Sequence, residues 1–128
     1  MSEGISTLER HLVIGAGPVG LAMAAALKRH GIPFDLVDAA SGVGGNWLHG
    51  VYRHAHIVSS KKATEYTDYP MPDDYPDFPS ADQMLAYLTA YAKDRGILSS
   101  SEFNKSVASA STDGAGTWIV KFADGEKR

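Results

Sequence analysis

Leu12-Val13-Ile14-Gly15-Ala16-Gly17-Pro18-Val19-Gly20 joins an apolar run to three glycines spaced Gly-x-Gly-x-x-Gly. A helical pattern follows at once. Such a strand, glycine turn and helix make the fingerprint of a dinucleotide-binding βαβ unit. Each glycine has its own task. Gly15 allows the sharp turn out of the strand. Gly17 lets the backbone approach a pyrophosphate with no Cβ in the way. Gly20 lets the helix pack close to the sheet. Ala16, Pro18 and Val19 complete the turn, and the helix N-terminus offers N–H groups and a partial positive charge to phosphates.

Working outward, Arg10 to Ile14 reads as the first strand and Pro18 to His30 as the first helix. Pro18 is tolerated in the first turn, where no N–H is needed. Lys28, Arg29 and His30 suit the negative end of the helix, and Gly31 supplies its stop. Pro33 to Asp38 reads as a second strand, parallel to the first through a right-handed crossover. Asp38 lies 23 residues after Gly15. At the tip of that strand its carboxylate overlooks the crevice and can accept the hydroxyls of an adenosine ribose. A carboxylate there disfavours a 2′-phosphate, so the first cofactor is expected to be FAD or NAD rather than NADP.

Ser41 to Gly50 is a glycine-rich loop. Val51 to Tyr69 carries no clear period, and Tyr69 to Ser80 is proline-rich and irregular. Ser80 opens a second long helix, ending near Arg95 and Gly96, with Gln83 completing a capping box. Met84, Leu85, Leu88, Tyr91 and Ala92 form its buried stripe. Two further strands are expected near Phe103–Val107 and Thr117–Phe122, with turns at Asp113-Gly114 and Asp124-Gly125. Residues 1–7 read as a flexible tail, and 8–128 as one nucleotide-binding domain.

The bulk properties narrow the classes. A chain of 128 residues with net charge −3 has no basic excess for nucleic acid or an anionic membrane. It has no cysteine, which removes disulfides, thiolate metal ligands and a cysteine nucleophile. A reducing, cytoplasmic setting is consistent with this. The apolar stretch from Leu12 to Leu27 is short for a membrane span, which needs about 20 residues. His49, His54 and His56 cluster without a supporting carboxylate, so no metal is expected. There is no G-x-S-x-G elbow for a hydrolase. Lys61-Lys62 reads as a solvated pair, with a phosphate contact as the alternative. Nothing in the sequence bears on oligomeric state.

Beyond Asp38 comes a second glycine loop, Gly42-Val43-Gly44-Gly45-Asn46-Trp47. Then follow Ser59-Ser60-Lys61, Asp68-Tyr69-Pro70-Met71-Pro72 and Tyr75-Pro76-Asp77-Phe78-Pro79-Ser80. With GAGPVG and Asp38, these pieces resemble the flavin-containing (class B flavoprotein) monooxygenases over roughly residues 10–96. The resemblance implies an α/β Rossmann-like fold, a parallel sheet with flanking helices, here in truncated form. It implies FAD on this part and NADPH on a second nucleotide fold that this sequence lacks. It also implies O₂ and a small-molecule substrate, with a soft nucleophile or carbonyl oxygenated through a C4a-hydroperoxyflavin. By the same resemblance Gly15 to Gly20 match the pyrophosphate turn. Asp38 stands where the family usually has Glu, and Gly45, Asn46 and Trp47 line the FAD. An Asn that many members place near the flavin and nicotinamide falls on Val58. Val58 cannot donate a side-chain hydrogen bond, so either Ser59 or Ser60 substitutes or the oxygen chemistry differs.

Three readings therefore stand: the FAD-binding portion of an NADPH-dependent monooxygenase, an FAD/NAD(P)H oxidoreductase without oxygen insertion, and a non-catalytic nucleotide-binding module. The isolated chain is expected to be inactive, and no catalytic residue is assigned.

Overall fold

The computed structural model describes residues 10–128. The expected tail at residues 1–7 lies outside them. The elements run β1 (His11–Ile14), α1 (Pro18–Arg29), β2 (Phe34–Val37), α2 (Asn46–His49), α3 (Lys61–Thr64), α4 (Ala81–Asp94), a 3₁₀ turn (Leu98–Ser100), β3 (Ser101–Glu102), β4 (Val107–Thr112) and β5 (Trp118–Phe122). β1, β2 and β3 form a parallel sheet in that order, and β4 and β5 form a separate antiparallel hairpin. The strand–helix–strand expectation for residues 10–38 is met.

Side-chain alternation along the strands assigns the layers. Val13, Phe34 and Leu36 turn toward the helices and join Leu21, Ala24, Ala25, Met84, Tyr87, Leu88 and Tyr91 in the main core. Leu12 and Val37 turn the other way, where Val120 and Phe122 of the hairpin cover them. The sheet is thus a middle layer, with helices on one face and a hairpin on the other.

Both long helices end by the same device. Gly31 and Gly96 each sit at φ +68. The pairs Gly31 N–H to Lys28 O and Ile32 N–H to Leu27 O, then Gly96 N–H to Lys93 O and Ile97 N–H to Ala92 O, are two Schellman caps. Lys28 Nζ also donates to Gly96 O at 2.9 Å, tying one helix end to the other. The Ser80–Gln83 capping box is present in full. Within α4, Tyr87 is buried in addition to the expected stripe, while Leu85 is only half-buried.

The strand expected at Phe103–Val107 is displaced. Ser101–Glu102 pairs with β2, and Asn104 at φ 53 breaks the run. Asn104 N–H and Lys105 N–H then bond to Ala40 O and Asp38 O. The apolar spacing of Phe103 and Val107 marks packing on either side of a corner, not one strand. The turn at Asp113-Gly114 falls where expected. After the turn at Asp124-Gly125 the chain returns along β5, with Arg128 N–H on Val120 O at 2.8 Å.

Candidate functional site: two interlocked glycine loops and an aromatic cavity

Gly15, at φ +107, turns the chain from β1 into the loop. Gly20 is required by packing, since a Cβ there would lie 1.8 Å from Gly15 O and 3.6 Å from Val13 Cγ1. Gly17 is different. Its backbone, at φ −80 and ψ −173, suits any residue. A Cβ on it would meet nothing closer than Gly45 Cα at 3.7 Å. The protein's own structure gives no reason for a glycine at 17.

Gly17 is the N-cap of α1 and no side chain caps that end. Leu21 N–H is the first to reach a helical carbonyl, on Gly17 O at 3.0 Å. Pro18 has no N–H, and those of Val19 and Gly20 precede the first helical bond. No acid occupies the first turn. This end is electropositive, and neither a side-chain cap nor an acid of its own first turn occupies it.

The second loop docks on the first. Gly44 N–H donates to Ala16 O at 2.9 Å. Gly45, at φ +58, approaches so closely that a Cβ on it would lie 3.0 Å from Gly17 Cα. Gly44, at φ +127, passes against Leu85, where a Cβ would meet Cδ1 at 2.6 Å. Gly44 and Gly45 thus seat the second loop on the first loop and on α4, which sequence spacing alone does not show.

Asp38 closes the arrangement. Its Oδ2 accepts from Ala16 N–H at 2.6 Å and its Oδ1 from Ala40 N–H at 2.7 Å. A carboxylate has about four acceptor positions. Two hold the loops in place and the others remain for a ligand's hydroxyls. Asp38 is therefore a structural residue as well as a candidate ligand contact.

Downstream of Gly45, Asn46 is exposed and its carbonyl accepts Gly50 N–H at 2.7 Å. Trp47 is half-buried and lines a cavity of about 300 Å³ together with Pro18, Val58, Ser59, Tyr66 and Tyr87. The candidate residues from both loops and from the Val58 segment thus meet at one place. Val58 is 90% exposed at this cavity and offers only a methyl surface. Ser59 Oγ is paired with Thr64 Oγ1, and Ser60 Oγ caps α3 by accepting Ala63 N–H at 3.2 Å. Ser59 borders the cavity and Ser60 does not.

The residues that sequence reasoning missed are the cavity's aromatic wall. Tyr66 Oη donates to Pro18 O at 2.5 Å, which anchors the wall to the first residue of α1. Tyr87 Oη accepts from Tyr66 N–H at 2.8 Å and donates to Tyr69 O at 2.5 Å. Burial, reinforced by Tyr91 and Tyr87, pushes the Tyr66 hydroxyl well above its ordinary range. Burial also raises Tyr87. Both stay protonated donors. The density of tyrosines at 66, 69 and 75 was the available signal, but it fell in a segment without periodicity. Lys61 proves structural. Its Nζ donates to Tyr75 O at 2.7 Å and Asp73 O at 3.3 Å, holding the proline-rich loop, while Lys62 stays in solvent. Among the described residues no group of three metal-ligating side chains gathers, and no helix is long and apolar enough to cross a membrane.

Two glycine loops locked under an acid-tipped second strand, on a parallel sheet with helices on one face, make this a Rossmann-like α/β fold. More narrowly, the chain belongs to the flavin-binding monooxygenase-like family, whose model matches residues 9–128. It is 37% identical over 111 residues to the probable indole-3-pyruvate monooxygenase YUCCA3 of Arabidopsis thaliana. It is 35% identical over 116 residues to the indole-3-pyruvate monooxygenase YUCCA1 of Oryza sativa subsp. japonica. These matches take in 86% and 90% of this chain but 25% and 28% of the relatives, so the chain spans about a quarter of their length. An oxidized steroid monooxygenase bound to NADP shares the fold with a TM-score of 0.83 at 26% identity, over 93% of this chain and 24% of that one. The S-allyl-L-cysteine S-oxygenase of Allium sativum does so with a TM-score of 0.85 at 22% identity, over 93% of this chain and 34% of that one.

Proposed function

We propose that residues 8–128 are the FAD-binding portion of an NADPH-dependent flavin monooxygenase acting on a small-molecule substrate with O₂, in a cytoplasmic setting. The carrying observation is Gly17, a glycine that neither backbone conformation nor packing demands, at the uncapped N-terminus of α1. Its missing Cβ makes sense when a pyrophosphate lies against it. In this reading the N–H groups of Gly17, Val19 and Gly20 bind the phosphates and Asp38 takes the ribose. Asn46, Trp47, Val58 and Ser59 border the path toward the flavin ring. When bound, FAD supplies two-electron chemistry between NADPH, O₂ and the substrate. This chain's residues bind and orient it, and Trp47, Tyr66 and Tyr87 shield one side from water. NADPH falls to the part of the relatives that this chain does not span.

The test is a fluorescence titration of the chain with FAD. Gly17→Ala should weaken binding at least about tenfold, or about 1.4 kcal/mol. Its stability should change by only a few tenths of a kcal/mol, because the added methyl costs the cap slightly and restricts the unfolded chain. Equal FAD affinity in the variant would refute the phosphate assignment. Asp38→Ala is the poorer probe, since it also frees two loop N–H groups.

The cavity favours a second reading, an FAD/NAD(P)H oxidoreductase without oxygen insertion. Val58 lines the cavity and its side chain donates nothing. In the full-length protein the two readings separate by product. Oxygenated substrate matching the NADPH consumed supports the monooxygenase, and hydrogen peroxide matching it supports the alternative.

A further inference from the structure

Four tyrosines form a contiguous stack behind the cavity. The ring centroids of Tyr66 and Tyr91 are 4.2 Å apart, Tyr69 and Tyr91 5.2 Å, Tyr69 and Tyr87 5.6 Å, and Tyr66 and Tyr87 5.9 Å. All four lie within the range of direct aromatic contact. One end of the stack is the cavity, where Tyr66 and Tyr87 share the wall with Trp47. The other end reaches the surface at Tyr69. The hydroxyls differ in what they donate to. Tyr66 and Tyr87 donate to backbone carbonyls, which are poor bases. Tyr69 donates to the carboxylate of exposed Asp94, alone among the tyrosines of the described residues. That bond, with burial and the negative charge of Asp94, raises Tyr69 to about 12, so it is a neutral phenol with a base already in place.

We propose that Trp47 and this tyrosine stack form a relay that carries an oxidising equivalent out of the cavity and delivers it to Tyr69 at the surface. The source in the working protein rests on the reading above: an oxygen-centred radical formed where flavin and O₂ meet. The transfer itself does not. The steps balance as follows. Trp47 gives one electron to the oxidant and its indole N–H proton to solvent. The phenol of Tyr69 then gives one electron through the stack to the indolyl radical, which regains a proton from solvent. The Tyr69 proton passes to Asp94 as the phenoxyl forms. A soluble one-electron reductant of the thiol or ascorbate class restores the phenoxyl, and Asp94 returns the proton. Tyr69 is the terminus because its partner is a carboxylate, whereas a carbonyl partner cannot take the proton that oxidation makes acidic. The function is protective, since the equivalent leaves before it damages the core.

Pulse radiolysis of the flavin-free chain tests this, with azidyl radical as the oxidant of indole at neutral pH. Trp118→Phe removes the other tryptophan, which is 62% exposed on the hairpin and outside the stack. In that background the indolyl absorption should decay in a first-order step, independent of protein concentration, while tyrosyl absorption grows in equal yield. Adding Tyr69→Phe, which keeps the ring, should cut the tyrosyl yield severalfold. Adding Asp94→Asn should slow the transfer severalfold. Circular dichroism checks that each variant is folded. Concentration-dependent indolyl decay without tyrosyl growth overturns the relay. An unchanged yield in the Tyr69 variant, or an unchanged rate in the Asp94 variant, overturns the terminus. Since no flavin is present, failure here and failure of FAD binding are separate results.

Discussion

The helix-and-sheet part, through β3, and the β4–β5 hairpin are held by different forces. The first buries a continuous apolar core in which Leu21, Leu36, Leu88 and Ile97 are almost fully enclosed. The second contributes Val120 and Phe122, with half-buried Val107, to a small cluster and leaves Trp118 and Ile119 in solvent. Ion pairs do much of its fastening. Lys105 Nζ bridges Asp124 at 2.6 Å and Glu126 at 2.5 Å, and Arg128 bridges Glu102 at 2.6 Å. Both cations also lie over the Phe122 ring, at 4.8 and 5.0 Å from its centroid. The lesson is that the candidate site rests on the part fastened mainly by apolar burial, whereas the hairpin leans more on exposed charges. The hairpin's attachment is conditional.

The sharpest way to break the first part is Gly20→Ala. Its Cβ would press into a backbone carbonyl, and backbone cannot yield as a side-chain tip can. The expected loss is about 3 kcal/mol or more, read as a lower urea midpoint. Close behind comes Leu88→Ala, which leaves a cavity between α1 and α4 and should cost about 3 kcal/mol. Both should lower the stability of the whole chain.

Acid sharpens the contrast. Arg128 holds Glu102 below the ordinary carboxylate range, Arg128 and Lys105 hold Glu126 below it, and Lys105 holds Asp124 below it. Groups lowered in the folded state stabilise it fully above their unfolded values, near pH 4. That contribution is lost as pH falls through the lower folded values. Amide protection factors in β4 and β5, corrected for intrinsic exchange, should therefore fall below about pH 4, while those in α1 and α4 hold. High salt should act in the same direction at neutral pH. An equal loss of protection in both regions would end the distinction. The smallest effect is expected at the hairpin surface, where Trp118→Ser should change stability by less than about 0.5 kcal/mol, measured by the same denaturation.

Legibility in the sequence follows the same division. The strand, glycine turn, helix, second strand and acid were readable because each is local. Periodicity, caps and turn chemistry act within a few residues. The capping box at Ser80 and the stop at Gly96 were readable for the same reason. The contact between Gly17 and Gly45, the double duty of Asp38 and the tyrosine wall were not. They join segments far apart in sequence, and no local pattern encodes which residues meet. β3 escaped because two residues carry no period, and its neighbour Asn104 looks like any loop residue.

The sheet has a further consequence, in the order of assembly. β1 and β2 are separated by one helix, and Leu12 need only find Asp35. β3 pairs with β2 through Leu36 and Ser101, across the second glycine loop, a proline-rich segment and α4. Closing that long loop must precede any reward from the pairing. The β1–α1–β2 unit is therefore expected in the folding transition state, and β3 is expected to join after it. A destabilising change in β1 should then slow folding, whereas one at Ser101 should leave the folding rate alone and hasten unfolding, as the two arms of a chevron would show.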